Sequence, residues 1–292
     1  MAPRQGRLGK IKDFVVDLAA RAILSLALTL PYETRVNFSG WVFSRLIAPL
    51  FGYRRRIRDN LSRIVPEMPV AEMRRIERDV PDNFGRTLIE IYSGEEFVNR
   101  VKMTKFSGSG AEALFEAAHQ GRPVVIATGH FGNYDVARAA LIAHGLKVGA
   151  LYKPMKNERF NRHYVRAISR IGTPLFPRGR RGMGEMVKFL RQGGLLGLLT
   201  DQHMGRGVRL DFFGHPAYTA TSAADLALKY DALLIPVYAI RKKNGLDFDI
   251  IIESPILHGD PITMTQDIND SLERMVRDHM GQWLWIHRRW KG

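Results

Sequence analysis

The sequence predicts an α/β fold, a mostly parallel central sheet flanked by helices, behind an N-terminal helical segment that associates with a membrane. Three observations predict it. Short apolar runs at 123–128, 195–200 and 232–239 read as buried parallel strands. Helical patterns alternate with them, at 111–119, 136–142 and 222–230. The first fifty residues are apolar, with basic flanks.

The 292 residues divide into a membrane-associating segment, 1–53, and an α/β domain, 54–292. Hydrophobic residues at 45% and charged residues at 25% are globular proportions, which excludes disorder for the body of the chain. There is no cysteine, so disulfides, thiolate metal sites and a cysteine nucleophile are excluded. The 44 Lys and Arg against 29 Asp and Glu give a net charge of +15, which implies an anionic partner: nucleic acid, anionic phospholipid or an acidic carrier protein.

The chain opens with Arg4, Arg7, Lys10 and Lys12, then turns apolar from Phe14 to Leu30. As a helix, Lys10, Asp13, Asp17 and Arg21 share one face, and Phe14, Val15, Leu18, Ile23 and Leu26 fall largely on the other. The longest charge-free run, Ala22 to Tyr32, is well short of the roughly 20 residues of a clean bilayer span. A second apolar segment, Phe38 to Tyr53, carries Trp41 and ends in Arg54-Arg55-Arg56. A cleaved signal peptide, a soluble helix pair and an interfacial or tilted membrane helix compete here. Pro31-Tyr32-Glu33 is no cleavage site, and the aromatic and basic flanks favour the membrane and its cytoplasmic, anionic leaflet.

Residues 54–100 read as helical and polar. Gly108 and Gly110 resemble the opening of a dinucleotide fingerprint, but Lys102 to Phe106 are too polar for the buried strand that must precede one. The strand 123–128 leads into Gly129-His130-Phe131-Gly132-Asn133-Tyr134-Asp135 and then a helix. His130 therefore stands at the C-terminal end of a strand, where open α/β sheets place their sites. Within one helix, residues five apart point about 140° away from each other, so His130 meets Asp135 only if the glycines turn the chain between them. In that geometry Asp135 orients one imidazole nitrogen and leaves the other as a general base for a hydroxyl. The bland alternative is a strand-end histidine that is merely hydrogen-bonded. No third ligand stands at metal spacing.

Downstream, Lys153, Lys156, Arg159, Arg162, Arg166 and Arg170 make a basic helical stretch, and Arg178 to Arg181 a basic, glycine-rich loop. The run at 195–200 ends in Asp201-Gln202-His203. Cationic loops at strand ends suit an anionic headgroup or a phosphopantetheine arm. Nucleic acid is disfavoured, because no standard binding motif is present and the aromatics do not interleave with the basic runs.

These blocks together resemble the lauroyl/myristoyl (late) acyltransferases of lipid A biosynthesis in the bacterial inner membrane. The resemblance spans nearly the whole chain, through Arg54–Leu61, the Gly129–Asp135 block, Tyr152-Lys153-Pro154, the Arg178 loop, Asp201-Gln202 and Phe212-Phe213-Gly214. It closes on Trp283-Leu284-Trp285-Ile286-His287-Arg288-Arg289-Trp290. It implies a glycerolipid-acyltransferase-like fold, His130 as catalytic base with Asp135 as its acidic partner, and substrate contacts at Asn133, Lys153, Arg178, Asp201 and Gln202. It implies acyl transfer from acyl carrier protein, or acyl-CoA, to a hydroxyl of an anionic glycolipid, with no bound cofactor or metal, on the cytoplasmic side of the inner membrane. Backbone N–H groups at the start of the 131–142 helix, or Arg178, would stabilise the oxyanion. A relative with another glycolipid or aminolipid acceptor, and an idle basic membrane-binding protein, are the competing readings.

Overall fold

The computed structural model describes residues 7–291. Arg4 lies outside the described residues, as do the side chains of Arg7, Lys10, Lys12, Asp13 and Val15. The N-terminal half is helical. α1 (Arg7–Leu28) is followed by α2 (Tyr32–Val42), which continues through a π-turn at Phe43–Ile47 into α3 (Ala48–Leu50). Then come α4 (Tyr53–Ile64), the long α5 (Val70–Ser93) and α6 (Glu95–Val101). The region 32–47 packs along α5.

The α/β part runs β1 (Phe106–Ser107), α7 (Ala111–His119), β2 (Val124–Thr128), α8 (Asp135–Ala143), β3 (Val148–Tyr152) and α9 (Glu158–Ile171). It continues with β4 (Leu175–Pro177), α10 (Arg180–Arg191), β5 (Leu195–Leu199), the hairpin β6 (Val208–Phe212) and β7 (His215–Thr219), and α11 (Ser222–Lys229). β8 (Leu233–Arg241), β9 (Phe248–Ile252) and α12 (Pro261–Asp278) complete it.

Seven strands form one sheet in the order β1-β9-β8-β2-β5-β3-β4. Every pairing is parallel except β8–β9. β2 lies at the centre, buried over Val124 to Ala127, which is why it reads as an unbroken apolar run. One core cluster packs α7, α8 and α9 on one face of the sheet, and another packs α10, α11 and α12 on the opposite face. A third gathers Phe212, Phe213, Trp283, Trp285 and Trp290 with α4 and α5.

The hairpin, β9 and α12 lie outside the elements expected from the sequence. α12 nonetheless carries a start signal: Asp260 caps it through the Thr263 N–H at 2.9 Å, and Pro261 takes the first turn. The polar stretch before Gly108 nonetheless supplies a two-residue strand, β1, parallel to β9 and not fully buried.

α1 has apolar residues on both faces, with Leu24, Ala27 and Leu28 packed against the core. Asp17 is buried, near Arg21, while Phe14, Leu18, Ile23 and Leu26 are exposed. Phe38, Trp41, Leu46, Leu50 and Phe51 are exposed on the segment that follows. Among the described residues no helix is long and apolar enough to cross a membrane.

Candidate active site

β2 and β5 are adjacent and parallel, with Thr128 opposite Leu199. Two residues beyond each strand end stand His130 and Asp201, so the register alone brings them together. Asp201 Oδ1 lies 2.8 Å from His130 Nδ1, and its Oδ2 accepts the His130 backbone N–H at 2.8 Å. Trp283 Nε1 donates to the same Oδ2 at 2.9 Å. Burial opposes charge on Asp201, but the His130 charge and these hydrogen bonds outweigh it, and the carboxyl sits well below the usual carboxylate range. An ionised Asp201 only accepts, so Nδ1 carries the imidazole proton and Nε2 presents a lone pair. Burial also opposes the imidazolium, yet Asp201 raises the His130 pKa above its ordinary value.

The partner of His130 is thus Asp201 and not Asp135. Asp135 begins α8 and points into the protein, where Arg138 donates to it from Nε at 2.8 Å and approaches from Nη2 at 2.7 Å. Arg138 also donates to the carbonyls of Gly172 and Ile168, so this buried pair ties α8 to the end of α9. Asn133, expected at the substrate, is likewise turned inward. Its amide donates to Glu90 at 2.8 Å and accepts the Asp135 N–H at 3.0 Å. Glu90 is paired on both oxygens with Arg241, at 2.5 and 2.8 Å. Asn83 and Thr87 each donate to the Gly132 carbonyl at 2.9 Å. This buried network, absent from any local pattern, holds the 129–135 loop from behind.

Gly132 has φ +54, and a Cβ there would stand 1.8 Å from the Ala239 carbonyl oxygen. Four N–H groups expected to face an oxyanion are committed within the fold. Phe131 donates to Gly129, Gly132 to Gln282, Val136 to the Asn133 carbonyl and Asp135 to the Asn133 side chain.

On the outer side, Gln202 is exposed with its Nε2 3.3 Å from His130 Nε2. Arg178, beyond β4, reaches the Met204 sulfur at 3.6 Å, which puts it at the rim of the 201–204 loop. Lys153 is exposed just beyond β3. Tyr134 packs its ring edge-on to His130 at 5.4 Å and hydrogen-bonds Tyr164; burial foremost keeps its phenol protonated. A slot of about 40 Å³ opens beside His130, lined by Val80, Phe84, Thr87, Tyr134, Trp283 and Leu284. Among the described residues no group of three or more His, Asp or Glu side chains is placed to hold a metal ion.

An imidazole oriented by a buried carboxylate, with its second nitrogen facing outward beyond the C-terminal ends of the strands, is the equipment of an enzyme that activates a hydroxyl. The chain belongs to the bacterial lipid A biosynthesis acyltransferase family, whose profile matches residues 5–292, and it is an acyltransferase. It is 25% identical to a lipid A biosynthesis acyltransferase of Haemophilus influenzae, over 92% of this chain and 88% of that one. It is 25% identical to the lipid A biosynthesis palmitoleoyltransferase of Escherichia coli K12, over 92% and 89%. A phosphatidylinositol mannoside acyltransferase of Mycobacterium tuberculosis is 23% identical over 94% of this chain and 85% of its own.

Proposed function

We propose that the chain transfers a fatty acyl group from acyl carrier protein, or acyl-CoA, to a hydroxyl of a lipid A precursor on the cytoplasmic face of the inner membrane. The observation that carries the chemistry is the His130–Asp201 pair, with Nε2 directed outward.

The acceptor hydroxyl takes the place of Gln202 at Nε2 and gives up its proton there. The oxygen attacks the thioester carbonyl, a tetrahedral oxyanion forms, and the carbon–sulfur bond breaks. The thiolate leaves with the proton that His130 received, so the base is regenerated. Asp201 keeps Nδ1–H in place and stabilises the transient imidazolium. Lys153 and Arg178 contact the anionic groups of the substrates at the mouth. The apolar wall of Val80 and Phe84 beside His130 marks the side from which the acyl chain approaches. No resident cofactor takes part in this scheme.

Attachment to the membrane is supported by the outward apolar face of α1 and the exposed Trp41, Leu50 and Phe51. The basic faces of α9 and α10 suit an acidic carrier protein. A second reading, a different glycolipid acceptor, draws support from the mycobacterial relatives, whose names specify phosphatidylinositol mannoside.

The test is acyl transfer in detergent micelles, with labelled acyl carrier protein and a tetra-acylated lipid A precursor bearing its sugar acid. Transfer by the wild type, with loss of about 10²-fold or more in His130→Ala, is the expected result. A wild type that ignores this acceptor but acylates a phosphatidylinositol mannoside supports the second reading. Full activity in His130→Ala overturns the mechanism.

A further inference from the structure

A cleft of about 620 Å³ lies between α4, the β6–β7 hairpin and the C-terminal residues. Its size falls within the roughly 300–1,000 Å³ of small-molecule sites. Arg63 comes from α4, Arg209 and Tyr218 from the hairpin, and Arg288, Trp290 and Lys291 from the tail. None of the lining residues is acidic, and among the described residues none of these four cations is in an ion pair. Four exposed cations from three separate elements line one mouth, and their summed positive potential there favours an anion.

The walls are held rigidly. Trp290 stacks on Phe212 and Trp285, and its indole N–H is spent on the Phe212 carbonyl at 2.9 Å. Arg63 donates from Nη1 to the Trp290 carbonyl at 3.2 Å, which leaves its other guanidinium donors for the cleft. Arg209 and Tyr218 stand directly opposite each other in the hairpin, so they share a face. Asn60 donates to the carbonyls of Trp285 and His287 and locks the tail onto α4.

The cleft also communicates with the base. Tyr218 packs edge-on against His203 at 5.8 Å, and His203 follows Gln202, which sits at His130 Nε2. The His203 N–H donates to His287 Nε2 at 2.9 Å, and His287 feels the charges of both Asp201 and His130. In the other direction, α4 starts just after the exposed Leu50 and Phe51, and Arg63 lies about 15 Å further along its axis. A group bound here therefore spans the interval between an apolar docking face and the catalytic pair.

We propose that this cleft is a binding site for a phosphate ester of one of the two substrates, and that Arg209 and Arg288 are its main ligands. The inference rests on the acyl-transfer reading for the source of the phosphate, though not for the existence of the anion site. Two sources share this chemistry: a phosphate on the lipid acceptor, and the phosphodiester of the donor's pantetheine arm.

The experiment uses the full chain in micelles, as wild type, as Arg209→Gln/Arg288→Gln, and as the charge-keeping Arg209→Lys/Arg288→Lys. Inorganic pyrophosphate is titrated calorimetrically into each. The Gln pair is expected to bind about tenfold more weakly or worse, and the Lys pair within about threefold of wild type. Equal pyrophosphate affinity in wild type and Gln pair overturns the proposal, whether or not acyl transfer is seen.

Kinetics then identify the source. Transfer is measured with the acceptor and its dephosphorylated form, and with acyl-phosphopantetheine and acyl-pantetheine. For the substrate whose phosphate occupies the cleft, removing that phosphate raises KM about tenfold in wild type and leaves it unchanged in the Gln pair. If neither substrate shows that loss of discrimination, the cleft does not take a substrate phosphate and the proposal fails. Weakened pyrophosphate binding in a protein that transfers no acyl chain would sink the acyl-transfer reading and leave the anion site standing.

Discussion

Replacing Asp201 by Asn separates the two carboxylates that stand near His130 in sequence and in space. Oδ2 of Asp201 accepts two N–H groups, from the His130 backbone and the Trp283 indole, and Oδ1 accepts the Nδ1 proton. Asparagine has one oxygen to offer. If that oxygen serves Nδ1, its NH₂ group confronts two buried donors, at a cost of about 1–3 kcal/mol each. If it serves those two donors, the NH₂ faces Nδ1 and forces the proton onto Nε2, which can no longer act as a base. The productive tautomer is therefore disfavoured by about 2–6 kcal/mol, a loss between roughly 30-fold and 10⁴-fold in rate. Asp201→Asn is expected to fold, with an unchanged circular-dichroism spectrum, and to transfer acyl chains about 10²–10⁴ times more slowly in micelles. Initial rates within threefold of wild type would refute the tautomer argument and the role assigned to Asp201.

Asp135→Ala should act on stability instead: breaking its buried pair with Arg138 costs about 3–5 kcal/mol, read as a lower urea midpoint, while activity of the folded protein exceeds that of Asp201→Asn. Rates as low as those of Asp201→Asn, with no loss of stability, would contradict this. The pH profile follows from His130, whose pKa is raised: the base must be neutral, so kcat/KM falls as pH drops, with a midpoint above about 6.5. In Asp201→Asn that midpoint should move to lower pH; an unmoved midpoint would mean that another group is titrating. Gly132→Ala forces a Cβ against the Ala239 carbonyl at positive φ, and should cost roughly 3 kcal/mol or more, measured by thermal unfolding. Leu26→Glu with Leu50→Glu should weaken sedimentation with anionic vesicles at least tenfold, since burying each leucine is worth about 1.5–3 kcal/mol; unchanged binding would place the docking face elsewhere.

The sequence made the central architecture legible because β2 and β5 are buried on both faces, and burial writes itself as unbroken apolar runs. It showed His130 at a strand end and Asp201 at another, but not that the two strands are neighbours, since register is a long-range property. The five-residue spacing of His130 and Asp135 misled for a different, local reason: Asp135 faces Arg138 three residues on along its own helix. A usable signal was present in the parallel endings Thr128-Gly129-His130 and Leu199-Thr200-Asp201, two strands of equal length with a polar group the same distance beyond each. β6, Val208-Arg209-Leu210-Asp211-Phe212, alternates strictly between apolar and polar residues and so carries a strand signal of its own, whereas β7 and β9 alternate less cleanly. The Glu90–Arg241 pair joins α5 to β8, and nothing local in either element foretells it.

The pairing of β2 with β5 has a consequence for how such a chain tolerates change. Everything between His130 and Asp201 leaves the sheet and returns to it, so the separation of the pair is set by two rungs of one ladder. A loop such as 144–146 can lengthen or shorten without moving either group, because it carries none of the hydrogen bonds that join β2 to β5. One residue inserted within β2 itself would instead shift His130 against its partner and turn its side chain to the other face. Variation is thus free along the contour of the chain and forbidden across the width of two strands.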